Sequence, residues 1–191
     1  TSEVPKAKSF VMVEASAQDL ESAQSFVSKV ADQGIGFLGN PDLSQSARKA
    51  EFRKLLRNNF DLKTIGRFAL GKYWKSASPA QQNEYQTLFE RMVIGVYADR
   101  FGEYKGEQLA VNSARAEGKR DILVNSSVKG NNGANVRVDW RLRKKDDRYR
   151  VIDIIVEGVS MSLTQRSDFA SVIQRGGGNI EVLLDHLRQH N

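Results

Sequence analysis

The 191-residue sequence contains no cysteine, only two histidines and only three prolines. Without cysteine it can form no disulfide bond, thiolate metal site or cysteine nucleophile. No stretch approaches the ~18 consecutive apolar residues of a membrane-spanning helix. The histidines, His186 and His190, are four residues apart and could share one helix face around a metal. No paired acids accompany them, so a cationic helix end is the favoured interpretation.

The familiar nucleophile and phosphate-binding motifs are also missing. Ser160 follows Gly158 closely, but the surrounding residues do not form the G-x-S-x-G elbow of hydrolases. The three glycines at 176–178 lack the lysine and the Ser or Thr of a phosphate-binding loop. We interpret them as the stop of one helix and the start of the next.

One pair of acids leaves an acid–base role open. Asp153 and Glu157 are four residues apart in a predicted strand, so both should point to the same face. They could act as a general acid and base. The favoured alternative is structural, either an ion pair with Arg67, Arg150 or Arg166 or a helix cap. The sequence as a whole therefore favours a protein that is not an enzyme.

The charge is unequal, with 29 Lys and Arg against 23 Asp and Glu, a net charge of +6. This excess of cations favours anionic partners such as nucleic acid or a phospholipid surface. The alternative interpretation is that the basic side chains only keep the protein surface solvated. The densest basic stretch, residues 141–150, has the pattern of a hairpin turn between charged strand ends. The aromatic residues follow apolar spacing and do not alternate with Lys and Arg, so no nucleic-acid partner is expected.

Apolar residues recur at helical spacing through the first half of the chain. The spacing predicts helices over residues 17–37, 44–58, 60–70 and 79–104. The last one opens with Ser78, Pro79 and Gln81, which is the pattern of a capping box with proline at the first helical position. Its aromatic stripe predicts one continuous helix about 39 Å long, at 1.5 Å per residue.

The period changes to two after Gly106, which indicates strands. Four strands are predicted over residues 109–117, 121–129, 135–144 and 148–157, joined by short turns into an antiparallel meander. Two helices should follow, one from near Ser162 or Thr164 to the triple glycine and one over 178–188. Residues 1–16 are expected to be a flexible lead-in, and residues 17–191 a single domain.

Elements segregated in this way predict an α+β fold in which helices cover a four-stranded antiparallel sheet. The last strand has apolar residues on both faces, from Val151 to Val156, and therefore needs cover on both faces. By analogy with other curved sheets covered by helices, we expect an apolar cavity between the two layers. An apolar cavity without catalytic motifs indicates binding of a hydrophobic ligand.

Several segments, in this order and spacing, resemble the MlaC / toluene-tolerance family of periplasmic phospholipid-binding proteins. They are Phe60–Asp61, Ile65–Trp74, Ser78–Gln82 with Phe89, Tyr97 with Arg100–Phe101 and Tyr104, Val151–Asp153, Glu157–Ser160 and Gln165–Phe169. The resemblance covers roughly residues 17–187. The chain does not begin with Met, and the resemblance suggests that a signal peptide has been removed.

The resemblance implies a soluble periplasmic lipid carrier without catalytic residues or cofactor. Its cargo would be a phospholipid, or a hopanoid-type lipid as in related members. Its partners would be an inner-membrane ABC transporter complex and an outer-membrane lipoprotein complex. The expected lipid-binding residues are Phe60, Ile65, Phe68, Leu70, Tyr73, Trp74, Phe89, Met92, Val93, Val96, Tyr97, Phe101, Tyr104, Val138, Trp140, Ile152, Ile154, Val156, Val159 and Phe169.

Three alternatives remain open from the sequence. A basic adaptor would bind protein or nucleic acid through the 141–150 hairpin and would have no ligand cavity. A hydrolase would place Asp153 and Glu157 in a wet cleft. A well-packed domain without a cavity has the same sequence pattern, because pocket-lining and core side chains are alike in sequence.

Overall fold

The computed structural model describes residues 15–190 and has an α+β architecture in which seven α-helices accompany one antiparallel sheet. The helices are α1 (Ala17–Leu38), α2 (Gln45–Asn59), α3 (Leu62–Leu70), α4 (Tyr73–Ser76), α5 (Pro79–Ala98), α6 (Met161–Arg175) and α7 (Ile180–Gln189). The strands are β1 (Gln108–Glu117), β2 (Asp121–Lys129), β3 (Asn135–Lys145), β4 (Arg148–Val156) and β5 (Val159–Ser160). The predicted lead-in over residues 1–16 lies outside the described residues, apart from its last two.

Side-chain caps define where the helices begin. Ser78 Oγ accepts a hydrogen bond from Gln81 N at 3.2 Å, and Gln81 Oε1 accepts one from Ser78 N at 2.9 Å. With Pro79 at the first position, this is the capping box that the sequence predicts. Asp61 caps α3 in a similar way, because its carboxylate accepts from the backbone N–H of Thr64 at 3.1 Å.

The prediction of one continuous helix from Pro79 to Tyr104 is wrong. Helix α5 ends at Ala98, and a short 3₁₀ helix covers Phe101–Glu103. The turn allows Phe101 to pack edge-on against Phe52, with ring centroids 5.1 Å apart. The Tyr97 ring, near the end of α5, also lies against Phe52, with centroids 6.3 Å apart, so the aromatic spacing continues past the end of the helix.

The sheet has five strands and not the four that were predicted. Its order is β1-β2-β3-β4-β5, and all neighbours are antiparallel. The extra strand is two residues long, with Val159 paired to Val156 after a turn through Glu157 and Gly158. Both turn residues have positive φ, 49° and 79°. A strand this short leaves no alternating pattern that the sequence could reveal.

Strand β4 is protected along its outer edge. Phe60 forms an isolated parallel bridge with Val151, and the Asp61 backbone N–H donates to the Val151 carbonyl at 3.0 Å. Strand β5 covers the other end of the same edge. Unpaired edges invite pairing with another chain, so this cover keeps an apolar strand inside one molecule. It also joins helices α2 and α3 to the sheet.

The two faces of the sheet differ in chemistry. The inner face, against which α1 packs, carries apolar side chains such as Val124, Trp140 and Ile154, which lie side by side on three strands. The outer face carries a polar network on the same strands. Arg137 and Asn125, for example, both contact the buried Asp139, at 2.9 and 2.6 Å.

Within residues 15–190 most of the buried apolar residues belong to three clusters. The helical cluster lies among α3 to α7, and its centre includes Tyr85, Leu183 and Leu184, which are completely inaccessible to solvent. The sheet cluster joins α1 to the inner face of the sheet. The third, the aromatic cluster, is small and contains Phe37, Ala98 and Phe101. The helical and sheet clusters have no residue in common, whereas Leu55 packs against both the sheet cluster and the aromatic cluster.

The triple glycine ends α6 and precedes α7, as predicted. Gly177 and Gly178 have φ values of 85° and 87°, a conformation that other residues rarely adopt. A Cβ atom on Gly176 would lie 2.4 Å from Val182 Cγ2, so the two helices approach closely here. Asn179 then caps α7 through the backbone N–H of Glu181 at 3.0 Å.

Candidate functional site

Eight of the twenty predicted lipid-binding residues belong to the helical cluster. Leu70, Phe89 and Phe169 are buried at its centre, and the others pack against it while keeping part of their surface accessible. These partly accessible residues are Ile65, Tyr73, Trp74, Met92 and Val93. They come from α3, α4 and α5, so one wall of apolar side chains is assembled from consecutive helices.

Helices α3 and α5 are held together by a buried tyrosine. The Tyr85 hydroxyl donates to the Gly66 carbonyl oxygen at 2.6 Å, and the Tyr85 side chain is fully buried. Burial raises the pKa of Tyr85 far above its ordinary value, so the phenol stays a neutral donor. Gly66 allows this approach, because a Cβ atom there would lie only 3.0 Å from Phe89 Cδ1.

Four predicted residues lie in the sheet cluster instead. Trp140 is buried, and Phe60, Val138 and Ile154 pack around it while remaining partly accessible. The Phe60 and Trp140 ring centroids are 6.5 Å apart. These four residues form an apolar surface on the inner face of the sheet, near the point where α2 leads into α3.

A serine that the sequence analysis did not single out fixes the tryptophan on this surface. Ser126 is completely buried; its Oγ donates to the Val138 carbonyl at 2.6 Å and accepts from Trp140 Nε1 at 3.1 Å. The indole orientation therefore depends on a polar contact inside an apolar cluster. Strand alternation alone indicates that Ser126 points inward, but not which partner it meets.

The remaining predicted residues are dispersed. Phe101 lies in the aromatic cluster, and Ile152 is buried at an irregularity in the β3–β4 pairing. Val156 and Tyr104 are partly buried. Four others are exposed, and these are Phe68, Val96, Tyr97 and Val159, with 38–54% of their surface accessible. Their role in binding lipid remains a prediction.

A groove of about 670 Å³ runs between α2 and α5. Two predicted residues, Met92 and Val96, line it together with Ile94. The rest of its chemistry was not predicted from apolar spacing, because the other side chains are mostly charged. Lys49, Arg53, Arg57 and Arg91 provide cations, Glu90 and Asp99 provide acids, and Thr87, Gly95 and His190 complete the lining. The spacing of Lys49, Arg53 and Arg57 on α2 is the signal that could have revealed it.

The acidic pair has structural contacts that do not form an acid–base centre. Asp153 accepts hydrogen bonds from Ser160 Oγ at 2.5 Å and from the Ser162 backbone N–H at 3.1 Å, and so fixes the start of α6. Glu157 accepts from the Arg137 backbone N–H at 2.6 Å. Within residues 15–190 neither carboxylate pairs with Arg67, Arg150 or Arg166, so the ion-pair alternative is wrong and a helix-cap contact holds Asp153.

The basic hairpin is engaged largely within the molecule. Arg141 and Arg143 both bind the buried Asp121 carboxylate, at 2.8 and 2.7 Å. Burial raises the pKa of Asp121, but hydrogen bonds and charge from the two arginines outweigh it and hold the pKa below its ordinary value. Arg148 donates to the Asn58 carbonyl at 3.1 Å. Three of the cations in the hairpin therefore have partners within the molecule.

His186 and His190 lie at the exposed end of α7, with ring centroids 4.5 Å apart. Across residues 15–190 no cluster of three or more His, Asp or Glu residues has the arrangement of a metal site. In the same range no helix has the length and apolar composition needed to cross a membrane.

Known proteins resemble this chain in both sequence and fold. Toluene tolerance protein ttg2D of Pseudomonas putida is 30% identical over 114 residues, which cover 60% of this chain and 53% of that protein. The intermembrane phospholipid transport system binding protein MlaC of Haemophilus influenzae is 24% identical over 146 residues, covering 72% of this chain and 67% of that protein. The chain thus matches about half the length of the first relative.

The fold is similar to that of the phospholipid-binding protein from Ralstonia solanacearum, which was solved in complex with a phospholipid. The two chains are 29% identical, and the TM-score is 0.74 over 87% of this chain and 95% of that one. Residues 28–189 also match the family described as MlaC protein. Since this match spans most of the sequence, the chain belongs to the MlaC protein family.

Proposed function

We propose that this protein is a periplasmic carrier that binds the acyl tails of a phospholipid, or of a related membrane lipid, in its interior. The similarity to the lipid-bound protein of Ralstonia solanacearum is the observation that carries this proposal. The tails would lie between the apolar wall of α3 to α5 and the inner face of the sheet.

The separation of the apolar clusters supports a ligand between them. Ile65 and Met92 pack against the helical cluster, and Val138 and Ile154 pack against the sheet cluster, yet all four keep accessible surface. Apolar surface left accessible on both layers would gain free energy from a hydrocarbon chain that covers it.

The free energy lost when hydrocarbon is exposed to water requires the acyl tails to be almost fully covered by the protein. Two acyl chains contain roughly 30 methylene groups, each worth ~0.8 kcal/mol on leaving water. A carrier that left a third of them in water would lose roughly 8 kcal/mol relative to a bilayer. A pocket near the upper end of the usual range, about 300–1,000 Å³, is needed.

A carrier needs a donor and an acceptor. We propose that these are an outer-membrane lipoprotein complex and an inner-membrane ABC transporter complex, consistent with the transport-system name of the Haemophilus influenzae relative. The partner that releases lipid to this chain is the donor, and its identity sets the direction of transfer. Incubating lipid-loaded protein with each purified complex and measuring lipid transfer tests both partners.

The lipid itself is tested by purification without detergent, followed by native mass spectrometry and lipid extraction. We expect a stoichiometric phospholipid. The Val138→Trp variant should reduce the lipid-to-protein ratio at least about threefold, because the larger ring fills space on the inner face, where overpacking costs about 1–3 kcal/mol. Asn135→Trp is the matched control, since Asn135 is exposed and points to the opposite face of the same strand. A wild-type protein that retains no lipid even after incubation with vesicles contradicts the proposal.

A further inference from the structure

The groove between α2 and α5 has cations on both of its walls. Lys49, Arg53 and Arg57 are four residues apart on α2, so their side chains share one helix face. Arg91 contributes a fourth cation from α5. The lining of the groove therefore has an excess of positive charge. The volume of the groove, about 670 Å³, is within the range of ligand sites.

Three of these cations have no anionic partner among the residues that the structure describes. Arg57 is neutralised by Glu90, with Nε and Oε1 2.5 Å apart. Lys49, Arg53 and Arg91 form no ion pair with any residue between 15 and 190. Asp99 also lines the groove and forms no ion pair among these residues, so the four cations and two acids of the lining leave a net charge of +2. This net positive charge raises the local concentration of anions.

The groove is also partly apolar. Met92, Ile94 and Val96 lie among the charged residues, and Ile94 is only 3% exposed. Met92 lines the groove and also packs against the helical cluster. The positive groove is thus continuous with the wall that we propose to bind acyl tails. Apolar and cationic surfaces in contact suit one molecule that carries both a hydrocarbon tail and an anionic group.

We propose that the α2–α5 groove binds the phosphate group of the lipid and thereby makes the carrier prefer phospholipids with a net negative charge. This inference rests on the proposed lipid-binding function. A zwitterionic headgroup has a phosphate too, but its ammonium group would enter a groove whose four cations and two acids give a net charge of +2. An anionic headgroup such as phosphatidylglycerol brings no such repulsion.

A competition experiment tests this preference. The protein is incubated with vesicles that contain equal amounts of phosphatidylglycerol and phosphatidylcholine with identical acyl chains, is re-isolated, and its bound lipids are quantified by mass spectrometry. Exposed charge pairs contribute about 0–1 kcal/mol each, so three cations should enrich phosphatidylglycerol about three- to tenfold. In the triple variant Lys49→Gln, Arg53→Gln, Arg91→Gln the ratio should fall to about one, with total bound lipid unchanged.

The matched control removes the same charge elsewhere. Lys119→Gln, Arg120→Gln and Lys145→Gln change three exposed cations in or beside hairpin turns, and this variant should keep the preference. Equal binding of the two lipids by the wild type, or the same loss of preference in both variants, overturns the proposal. A wild type that binds neither lipid contradicts the lipid-carrier function itself, which separates the two failures.

A further arm distinguishes phosphate recognition from simple screening. Inorganic phosphate is added during the incubation and compared with chloride at the same ionic strength. If phosphate suppresses the preference more than chloride does, the groove recognises the phosphate group of the headgroup and free phosphate competes for it. If both salts suppress it equally, the groove attracts any anion, and the proposed phosphate site is wrong.

Discussion

Replacing Ser126 by alanine tests whether one hydroxyl group holds the aromatic surface of the sheet in place. Ser126 Oγ accepts from the Trp140 indole N–H at 3.1 Å, and both side chains are buried. Alanine has nearly the same size, so it removes the partner without opening a large cavity. The indole N–H would then be left without a hydrogen bond in an apolar cluster.

A buried donor without a partner costs about 1–3 kcal/mol. For a chain of this size each kcal/mol lowers the unfolding midpoint by about 2–4 °C, so Ser126→Ala should lower it by roughly 2–12 °C. In a Trp140→Phe background the donor is absent, and only the hydrogen bond to the Val138 carbonyl is lost. The same substitution should then cost about 1 kcal/mol or less.

The measurements are urea and thermal unfolding, followed by circular dichroism and tryptophan fluorescence. Ser127→Ala is the matched control, because Ser127 points to the outer face and its Oγ accepts only from the exposed Asn112 side chain at 2.9 Å. We expect it to change stability by less than about 0.5 kcal/mol. Equal destabilisation by both alanine variants, or an undiminished effect of Ser126→Ala in the Trp140→Phe background, would refute this reasoning.

Two further substitutions test the polar outer face and the α3–α5 contact. Asp121→Asn should cost roughly 1–3 kcal/mol at neutral pH, since Arg141 and Arg143 lose their shared carboxylate. Because the pKa of Asp121 is lowered by folding, its contribution is complete above its unfolded pKa of about 3.9 and is lost as pH falls through the folded value. Unfolding curves of the wild type and this variant should therefore converge in acid, and a constant gap would contradict the reasoning. Gly66→Ala should destabilise by about 1–3 kcal/mol, because its Cβ would press on the buried Phe89 ring; unchanged denaturation midpoints would show that α3 and α5 can separate without cost.

Much of the fold could be predicted from local patterns. The Ser78–Gln81 capping box marks the start of α5, and alternation marks β2 over its full range, residues 121–129. The glycines at 176–178 mark the break between the last two helices. Each of these features depends on residues that are neighbours in sequence, so the sequence alone was sufficient.

The end of α5 and strand β5 could not be predicted in this way. Phe101 continues the spacing of the α5 stripe and packs against Phe52 from another helix, although α5 ends at Ala98. Val159 pairs with Val156 across a turn that begins at Glu157. Glu157 has a positive φ, which its residue type does not indicate. Both outcomes depend on contacts that form only after the chain has folded.

The candidate site shows the same division. The sequence predicted the apolar faces of the individual elements and the residues that resemble a lipid-binding family, because hydrophobic spacing is a property of each element by itself. Only the tertiary structure divided those residues into three clusters and placed Lys49 and Arg53 opposite Arg91 across one groove. Distances between side chains on different helices depend on how the helices pack. The pattern of residues along the chain therefore does not show that charges about 40 positions apart come together.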